Sequence, residues 1–347
     1  MTIPETMKAS VLSVDGSLDL DTRPVPQPGP NEVLIQVAAV GVCGSDVHYY
    51  RHGRIGDFVI HDRLILGHEL AGTIVAVGGR VDQNRVGQRV AVEPQTRCHT
   101  CDQCSAGRYN LCPNIKFFGT PPVDGAFCEF VAIDSECAFE MPDSMSFEAG
   151  ALLEPLSVGI AAARKANVVP GSTVLIAGSG PIGIICAQAA RAFGASSIIM
   201  SDPVEDRLSK ALALGATQGI SPAEVPNIEK VDVFIDACGV GPAIHAGILA
   251  TKAGGTAVLV GMGAAELRLP VGYIAAHEIQ VTGIFRYTHT WPLAMGMVAD
   301  GSVNLDAMVT GAFTLNEVKQ ALESDGDPTS MKSIVYPTNL AGPLAGC

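Results

Sequence analysis

The strongest chemical signal in this 347-residue sequence is a group of four cysteines. They are Cys98, Cys101, Cys104 and Cys112, with two, two and seven residues between them. Four thiolates form a closed tetrahedral shell around zinc, and such a shell leaves no position for a substrate. The spacing therefore predicts a structural zinc site, and with four sulfurs present we expect His99 to be a bystander.

A second set of possible zinc ligands is spread along the sequence. Cys43 follows a β-rich run, His68 and Glu69 are adjacent, and Glu154 precedes a proline. Taken singly, each has a structural alternative: a buried thiol, a surface pair or a turn cap. A catalytic zinc needs about three protein ligands and one open position. Cys43 and His68 would satisfy this requirement together with either Glu69 or Glu154.

A glycine-rich segment, Gly178-Ser-Gly180-Pro181-Ile182-Gly183, lies between a predicted strand and a predicted helix. Gly178 permits a tight turn, Gly180 lets a pyrophosphate approach the backbone, and Gly183 allows the helix to pack closely on the strand. This context predicts a dinucleotide site. The alternative is a glycine-rich loop beside a helix-capping aspartate.

The residue expected to select the dinucleotide is Asp202, which lies 19 residues after Gly183 at the end of the second predicted strand. A carboxylate in this place accepts hydrogen bonds from the adenosine ribose hydroxyls. It would repel a 2′-phosphate, so we expect NAD rather than NADP. Arg207 is explained equally well by a solvated helix face and by a contact with adenine or a phosphate.

The composition excludes several classes of protein. The net charge is −13, and an acidic surface repels phosphate backbones and anionic lipids, so we expect no nucleic-acid or membrane partner. The same charge argues against a zinc-finger reading of the four cysteines. The sequence shows no secretory signal and no transmembrane pattern. We therefore expect a cytoplasmic protein whose clustered cysteines bind metal rather than form disulfides.

Two patterns divide the sequence. Residues 1–150 combine short β-rich runs such as Glu32–Val40 with frequent glycines, which predicts a partly closed all-β barrel. Glu148–Asn167 is rich in alanine and leucine and predicts a helix. From Thr173 onward strands alternate with helices, among them a helix over Pro181–Phe193. Such alternation predicts a parallel, doubly wound sheet, so the expected fold class is α/β.

These features together resemble the zinc-dependent medium-chain dehydrogenases. The resemblance spans about Met7 to Tyr336 and rests on GHELAGTIVAVG at Gly67–Gly78, on the four-cysteine lobe and on GSGPIG. Four further segments are similar to the polyol branch of that superfamily, which contains sorbitol, xylitol and arabinitol dehydrogenases. These segments are Gly41–Phe58, Phe117–Phe130, Leu152–Gly159 and Phe285–Pro292.

The resemblance implies a domain organisation. A GroES-like β-rich catalytic domain would cover residues 1–155, with its structural zinc lobe at 98–112. A Rossmann NAD-binding domain would cover 156–289, and a return segment over 290–347 would complete the catalytic domain. The active site would lie in the cleft between the domains, and the protein would be a homotetramer. The tail at 341–347 has no assigned role.

The resemblance also implies roles at the catalytic metal. Cys43, His68 and Glu69 match the zinc ligands of the polyol branch. Glu154 matches a residue beside the zinc-bound water that ligates directly in some states, so the choice of third ligand stays open. Ser45 and His48 match the proton-relay positions of alcohol dehydrogenases.

Further positions are implied around the substrate and the cofactor. The polyol would be surrounded by Tyr49, Phe117, Thr120, Glu154, Arg286 and Tyr287. The cofactor would be bound by the glycine-rich segment with Asp202 and Arg207, and also by Val260, Gly261, Met262, Ile284, Phe285 and Arg286.

The implied function is oxidation of a secondary hydroxyl of a polyol to a ketose, with two zinc ions per chain and hydride transfer to NAD. The alternatives are a threonine, butanediol or simple alcohol dehydrogenase of the same superfamily and, more remotely, a non-catalytic dinucleotide-binding protein. The complete set Cys43, His68, Glu69 and Glu154 argues against loss of chemistry. Zinc content separates these possibilities, since one ion per chain indicates a purely structural metal and two indicate an enzyme.

Overall fold

The computed structural model describes residues 2–263, 266–327 and 329–338. The chain divides into two compact units, here called the first unit (Met1–Glu154 with Leu305–Cys347) and the second unit (Pro155–Asn304). The tail at 341–347 lies outside the described residues. None of the helices in the described ranges is long and apolar enough to cross a membrane.

The N-terminal part of the first unit consists mainly of short strands, as its glycine-punctuated sequence predicts. Its strands are β1 (Thr6–Leu12), β2 (Leu18–Pro24), β3 (Glu32–Gly41), β4 (Arg54–Ile55), β5 (Phe58–Val59), β6 (Leu64–Ile65), β7 (Glu69–Val77), β8 (Arg89–Val92), β9 (Gln95–Thr96), β10 (Lys116–Phe117), β11 (Phe130–Asp134) and β12 (Ala138–Glu140). Its helices are α1 (Gly44–His52), α2 (Asp102–Ser105) and α3 (Phe147–Ala151).

The second unit begins within helix α4 and continues as alternating strands and helices. Its elements are α4 (Leu153–Lys165), β13 (Thr173–Ala177), α5 (Pro181–Ala192), β14 (Ser197–Ser201), α6 (Glu205–Ala213), β15 (Gln218–Ile220), β16 (Val231–Asp236), α7 (Gly241–Ala250), β17 (Thr251–Leu259), α8 (Val271–Ala276), β18 (Gln280–Gly283) and α9 (Trp291–Ala299). The chain then returns to the first unit with β19 (Val309–Thr314), α10 (Val318–Glu323) and β20 (Lys332–Tyr336). The sequence-based boundary at residues 289 and 290 therefore precedes α9, which belongs to the second unit.

The main sheet of the first unit has the order β12-β8-β7-β3-β20-β19, and β11 also pairs with β3. The central strand β3 is apolar on both faces, and its interior valines and alanines are buried. Strand β20 pairs antiparallel with β3 and so brings the C-terminal segment to the strand that precedes Cys43. The sheet core is thus built from sequence segments separated by the whole second unit.

The sheet of the second unit is parallel throughout, in the order β15-β14-β13-β16-β17-β18. This order corresponds to 3-2-1-4-5-6, in which dinucleotides bind where the strand order reverses, at the carboxyl end of the first strand. The buried strands are rich in valine and isoleucine, as expected when helices cover both faces. The predicted parallel, doubly wound sheet is confirmed.

One predicted helix is divided in the structure. The alanine-rich stretch 148–167 forms α3 and α4, with Leu152 between them. Pro155 explains the interruption, because proline has no backbone N–H to bond the carbonyl four residues earlier and its ring crowds that carbonyl. The division leaves Glu154 in the first turn of α4.

Candidate metal centres and dinucleotide site

The four-cysteine lobe brings its sulfurs together around α2. Cys112 Sγ lies 3.5 Å and Cys104 Sγ 4.0 Å from Cys98 Sγ, and all four sulfurs lie within 4.8 Å of one another. Zn–S bonds of about 2.3 Å in a tetrahedron place the sulfurs about 3.8 Å apart, so the lobe fits zinc. A hydrogen bond from the Thr100 backbone contributes most to lowering the pKa of Cys98, to about 5, which favours the thiolate that zinc requires.

A second ligand group forms where β3, α1 and β7 meet. Cys43 caps the N-terminus of α1, and His68 and Glu69 lie at the start of β7. One ligand atom from each of the three residues lies within 4.8 Å of the others. A thiolate, an imidazole and a carboxylate form a donor set that zinc accepts, with room for a fourth ligand. The residues present therefore fit a catalytic zinc.

Asp46 orients this group, and the sequence analysis missed it. One oxygen of the buried Asp46 carboxylate accepts from the Cys43 backbone N–H at 3.0 Å, and the other accepts from the Gly67 N–H at 3.0 Å. The second oxygen also lies 3.5 Å from His68 Nδ1. A ligating histidine is oriented by such a partner on its other ring nitrogen. Because Asp46 lies beside Nδ1, Nε2 is the ring nitrogen of His68 that remains for a metal.

The pKa of His68 follows from the same surroundings. Burial alone would lower this pKa, but the negative charges of Asp46 and Cys43 outweigh burial and raise it well above its usual value. The site therefore attracts positive charge, whether a proton or a metal cation. Because zinc binds the neutral imidazole, metal binding at His68 displaces a proton.

Lys332 completes the surroundings of Glu69. Its Nζ donates to Glu69 Oε1 and to the Val42 carbonyl, both at 2.7 Å, and it lies 2.5 Å from Glu69 Oε2. The attraction of Glu69 outweighs burial and raises the pKa of Lys332, so the ammonium group keeps its charge. Gly41 makes room for this carboxylate, since a Cβ there would lie 2.1 Å from Glu69 Oε2. A lysine 263 residues away in sequence gave no signal that sequence reasoning could detect.

The structure places Glu154 close to this group but not among the three converging ligand atoms. Its side chain is buried, and its charge acts on Lys332 in the same direction as that of Glu69. The structure therefore brings Cys43, His68 and Glu69 together as one ligand set, with Glu154 as a neighbouring carboxylate.

Of the predicted substrate residues of the first unit, Phe117 lies beside a ligand of this centre. The ring of Phe117 is buried, and its centroid lies 5.2 Å from that of His68. Tyr49 is buried on α1, and Thr120 is half-buried in the turn after Phe117. Phe117 is thus an apolar wall beside a metal ligand.

The two predicted relay residues lie on α1. Ser45 is half-buried, whereas His48 is exposed and its ring centroid lies 4.6 Å from that of His52. Partial burial and the neighbouring His52 lower the pKa of His48. At neutral pH this imidazole is neutral and can accept a proton.

In the second unit the glycine segment has the geometry that its sequence predicts. Gly178 adopts a positive φ of 97°, and a Cβ at Gly183 would lie 1.9 Å from the Gly178 carbonyl oxygen. A Cβ at Gly180 would meet nothing within 4 Å, so the N-terminus of α5 is open to an anion at that point. Pro181 occupies the first turn of α5, with Ile182 following it.

Asp202 lies at the end of β14 and is almost completely buried. Its two carboxylate oxygens accept from the Ser179 N–H at 2.8 Å and the Val204 N–H at 2.9 Å. A cavity of about 290 Å³ extends from Gly178 and Asp202 to Cys238 and Val240. Its walls are apolar apart from Asp202 and a few small polar groups, which suits a flat adenosine moiety. Arg207 lies half-buried on α6.

The remaining cofactor positions lie after β17 and β18. The backbone N–H groups of Val260 and Gly261 donate to the Asp236 carbonyl at 2.9 and 3.0 Å. The Ile284 N–H donates to the Leu259 carbonyl at 3.2 Å. Met262 and Phe285 are exposed, with 59% and 46% of their surface accessible. Two adjacent turns therefore present apolar side chains at the carboxyl edge of the sheet.

Arg286 and Tyr287 have different surroundings. Arg286 adopts a positive φ of 56°, and its guanidinium lies 4.8 Å from the centroid of the Phe285 ring. Tyr287 is buried, and its ring meets that of Trp291 edge-on at 6.4 Å. The tyrosine ring therefore packs within the second unit.

Two family profiles match the chain in these regions. The alcohol dehydrogenase GroES-like domain matches residues 29–143, and the zinc-binding dehydrogenase domain matches residues 181–300. The chain belongs to the zinc-dependent medium-chain dehydrogenases. Membership confirms the predicted family, the GroES-like plus Rossmann fold class, an enzymatic role, and zinc and a nicotinamide dinucleotide as cofactors.

Individual members of the family are similar over nearly the whole chain. The sorbitol dehydrogenase of Bos taurus is 44% identical over 343 residues, covering 96% of each chain. That of Bacillus subtilis is 43% identical over 348 residues, covering 97% of this chain and 99% of the relative. The crystal structure of L-idonate 5-dehydrogenase from Escherichia coli has a TM-score of 0.90 at 28% identity, covering 95% of this chain and 98% of its own.

Proposed function

We propose that this protein is an NAD- and zinc-dependent polyol dehydrogenase that oxidises a secondary hydroxyl of a sorbitol-, xylitol- or arabinitol-type substrate to a ketose. One observation carries the proposal: Cys43, His68 and Glu69 converge within 4.8 Å. They do so in a chain 44% identical to a sorbitol dehydrogenase. A ligand set of one thiolate, one imidazole and one carboxylate leaves a position for the hydroxyl of a substrate.

When bound, zinc supplies Lewis acidity that lowers the pKa of a hydroxyl, and NAD supplies the hydride acceptor. The chain itself holds the ligands in place before either group binds. Asp46 fixes the ring of His68, and Lys332 fixes the carboxylate of Glu69. Such preorganisation contributes to catalysis because the ligands do not need to be reoriented during the reaction.

We assign the proton transfer to residues near this centre. Glu154 is a buried carboxylate beside Lys332 and is the first acceptor. Ser45 and His48 offer a second route along α1, since His48 is exposed and its neutral form can accept a proton. The second route ends at His48, which is exposed to solvent.

The cofactor assignment favours NAD. The Asp202 carboxylate is fixed by two backbone N–H donors and lines the cavity of the second unit. A fixed negative charge at this place accepts ribose hydroxyls and repels a 2′-phosphate. We assign the turns at Val260, Gly261 and Met262 and at Ile284 and Phe285 to the nicotinamide half.

We assign the polyol contacts to Tyr49, Phe117, Thr120 and Arg286. A guanidinium group offers a planar fork of donors to neighbouring hydroxyls. A pocket built to bind several hydroxyls rejects substrates that lack them, so ethanol would be a poor substrate. We assign Tyr287, which follows Arg286 and whose ring packs on Trp291, to the same substrate contacts.

The test is NADH formation from sorbitol, xylitol, ribitol, both arabinitols, galactitol, 2,3-butanediol, threonine and ethanol, each with NAD and with NADP. Rapid turnover of one or two polyols with NAD, abolished by a chelator, is the expected result. Preference for threonine, butanediol or ethanol would overturn the polyol assignment while leaving the family unchanged.

We also propose a homotetramer in a reducing, cytoplasmic compartment. The assembly is proposed from the family resemblance and is tested by sedimentation velocity. The compartment is supported by the free state of nine cysteines in the described residues, five of which are needed as zinc-binding thiolates. Fractionation of the source cells with a thiol-trapping reagent tests it.

A further inference from the structure

Asp236, at the carboxyl end of β16, lies at a junction of several backbone segments in the second unit. It is completely buried. Its Oδ1 accepts hydrogen bonds from the backbone N–H groups of Cys238 and Gly239 at 3.1 and 2.9 Å. Its backbone carbonyl accepts from Val260 and Gly261. One residue therefore holds the turn after β16 with its side chain and the turn after β17 with its main chain.

The two turns also pack directly on one another through glycines. A Cβ at Gly261 would lie 2.2 Å from the Gly239 nitrogen, and a Cβ at Gly263 would lie 2.0 Å from the Gly239 oxygen. A Cβ at Gly239 would lie 2.6 Å from the Met262 carbonyl carbon. Neither turn can move without displacing the other, because backbone lies against backbone with no side chain between.

The two turns line different parts of the proposed dinucleotide-binding site. Cys238 and Val240 line the cavity that contains Asp202 and Gly178. Val260, Gly261 and Met262 are the positions assigned to the nicotinamide half. A side chain that fixes the first turn therefore also fixes the second, through Gly239.

The Asp236 carboxylate also acts electrostatically on α5, the helix that follows the glycine segment. Burial and the negative charge of Asp236 together raise the pKa of Cys186 on α5 to about 12. Asp236 thus lies within electrostatic range of the helix that carries Gly183, in addition to holding the two turns.

We propose that Asp236 is a positioning residue for cofactor binding, which sets the turns 237–240 and 260–263 as one rigid unit for the two halves of NAD. It touches neither the substrate nor the reacting atoms, so its contribution is to cofactor affinity. A charged acceptor makes stronger hydrogen bonds to backbone N–H groups than a neutral one. Removing it takes the acceptor from the partly buried Cys238 N–H and the buried Gly239 N–H, which frees the turn. The proposal rests on the proposed binding of NAD.

The experiment compares Asp236→Ala and Asp236→Asn with the wild-type zinc-loaded enzyme by fluorescence titration with NADH. We expect Asp236→Ala to raise the Kd for NADH about 10- to 100-fold, which corresponds to about 1.4 kcal/mol per tenfold. Asp236→Asn keeps an oxygen that can accept from both N–H groups, so we expect its Kd to stay within about tenfold of the wild-type value. The kcat at saturating NAD should change little in both variants.

Asp300→Ala is the matched control. Asp300 lies in the same unit and accepts from the Ser302 N–H at 2.8 Å, two residues later, as Asp236 does from Cys238. It lies in the exposed turn after α9. Its replacement should leave the Kd for NADH unchanged.

Hydrogen exchange measured by mass spectrometry tests the coupling itself. In Asp236→Ala, peptides covering 237–240 and 260–263 should both exchange faster than in the wild type, and peptides around Ser302 should not. Acceleration of 237–240 alone, or a Kd for NADH equal to the wild-type value, overturns the proposal. If Asp236→Ala does not fold, Asp236→Ser, which can accept one hydrogen bond, takes its place under the same criteria. Failure of the wild-type enzyme to bind NADH would instead overturn the proposed cofactor.

Discussion

The ammonium group of Lys332 lies 2.7 and 2.5 Å from the two carboxylate oxygens of Glu69, and both side chains are buried. Lys332 begins strand β20, so this ion pair ties the C-terminal return segment to the start of β7. The same lysine donates to the carbonyl of Val42, the residue before Cys43. A segment that contributes no metal ligand thereby positions two segments that do.

Replacing Lys332 with methionine should strongly destabilise the protein. Loss of one partner of a buried ion pair leaves an uncompensated charge and costs about 3–5 kcal/mol. Lys252→Met is the matched control, since Lys252 pairs with Asp232 on the surface of the second unit and an exposed pair contributes about 0–1 kcal/mol. Denaturant unfolding measures the free energy of unfolding of both variants. If the free energy of unfolding fell equally in the two variants, the buried Lys332–Glu69 pair would contribute no more to stability than an exposed pair.

Metal analysis should find two zinc ions per chain in the wild type and one in each of two single variants. Cys43→Ser removes a ligand of the three-residue group, and Cys112→Ser removes a ligand of the four-cysteine lobe. Because the lobe has no open position, its zinc should be the slower of the two to leave during dialysis against a chelator. Elemental analysis of dialysed samples measures this order. A wild type with a single zinc would contradict the catalytic site.

The sequence alone predicts most of this molecule where local patterns carry the information. The glycine segment, the alternation of strands and helices and the four-cysteine spacing are local, and the structure shows each in its predicted place. The break at Leu152 was missed because helical composition obscured the effect of Pro155. Asp46, Lys332 and Asp236 were missed because their importance depends on contacts that the folded chain makes. Asp46 accepts a hydrogen bond from the Gly67 N–H, 21 residues away in sequence, and Lys332 pairs with Glu69 across 263 residues.

Replacing Asp202 with serine should shift cofactor preference toward NADP. The change removes the charge that repels a 2′-phosphate, and it also removes the acceptor for the Ser179 and Val204 N–H groups. We therefore expect kcat/KM with NAD to fall by about 10- to 100-fold, which corresponds to one or two hydrogen bonds to a charged group, and the NADP-to-NAD ratio to rise. Asp206→Ser, on the exposed first turn of α6, controls for loss of charge alone. An unchanged ratio would remove Asp202 from cofactor selection.

Glu93 should make folding stability depend on pH in the direction opposite to an ordinary surface carboxylate. Burial is the main cause that raises the pKa of Glu93 above its usual value of 4.5, despite hydrogen bonds from Gln95 and Tyr109. A raised folded-state pKa gives stability that is present below the usual pKa and is lost as pH rises through the folded value. Glu93→Gln keeps the acceptor without the charge. The stability of Glu93→Gln relative to the wild type should therefore increase as pH rises from the usual pKa of Glu93 to its folded-state pKa.

Glu224→Gln provides the opposite sign for comparison. Hydrogen bonds from Ser221 lower the pKa of Glu224, so its stabilising effect is present above its usual pKa and is lost on acidification. The stability of Glu224→Gln relative to the wild type should therefore decrease as pH rises through that range. Thermal unfolding of the three proteins over a series of pH values measures both slopes. Parallel slopes in the two variants would contradict the assignment of Glu93 as a buried acid.

Replacing Glu154 with alanine separates its possible role as a ligand from its role as a proton acceptor. Glu154 is not among the three converging ligand atoms, so we expect the variant to retain both zinc ions. Loss of a proton acceptor should nevertheless lower kcat by about 100-fold or more. Glu148→Ala is the control, because Glu148 is a buried carboxylate of α3 that accepts from Tyr336 at 2.7 Å and should affect stability rather than turnover. Full turnover in Glu154→Ala would remove it from the chemistry, and loss of one zinc would make it a ligand.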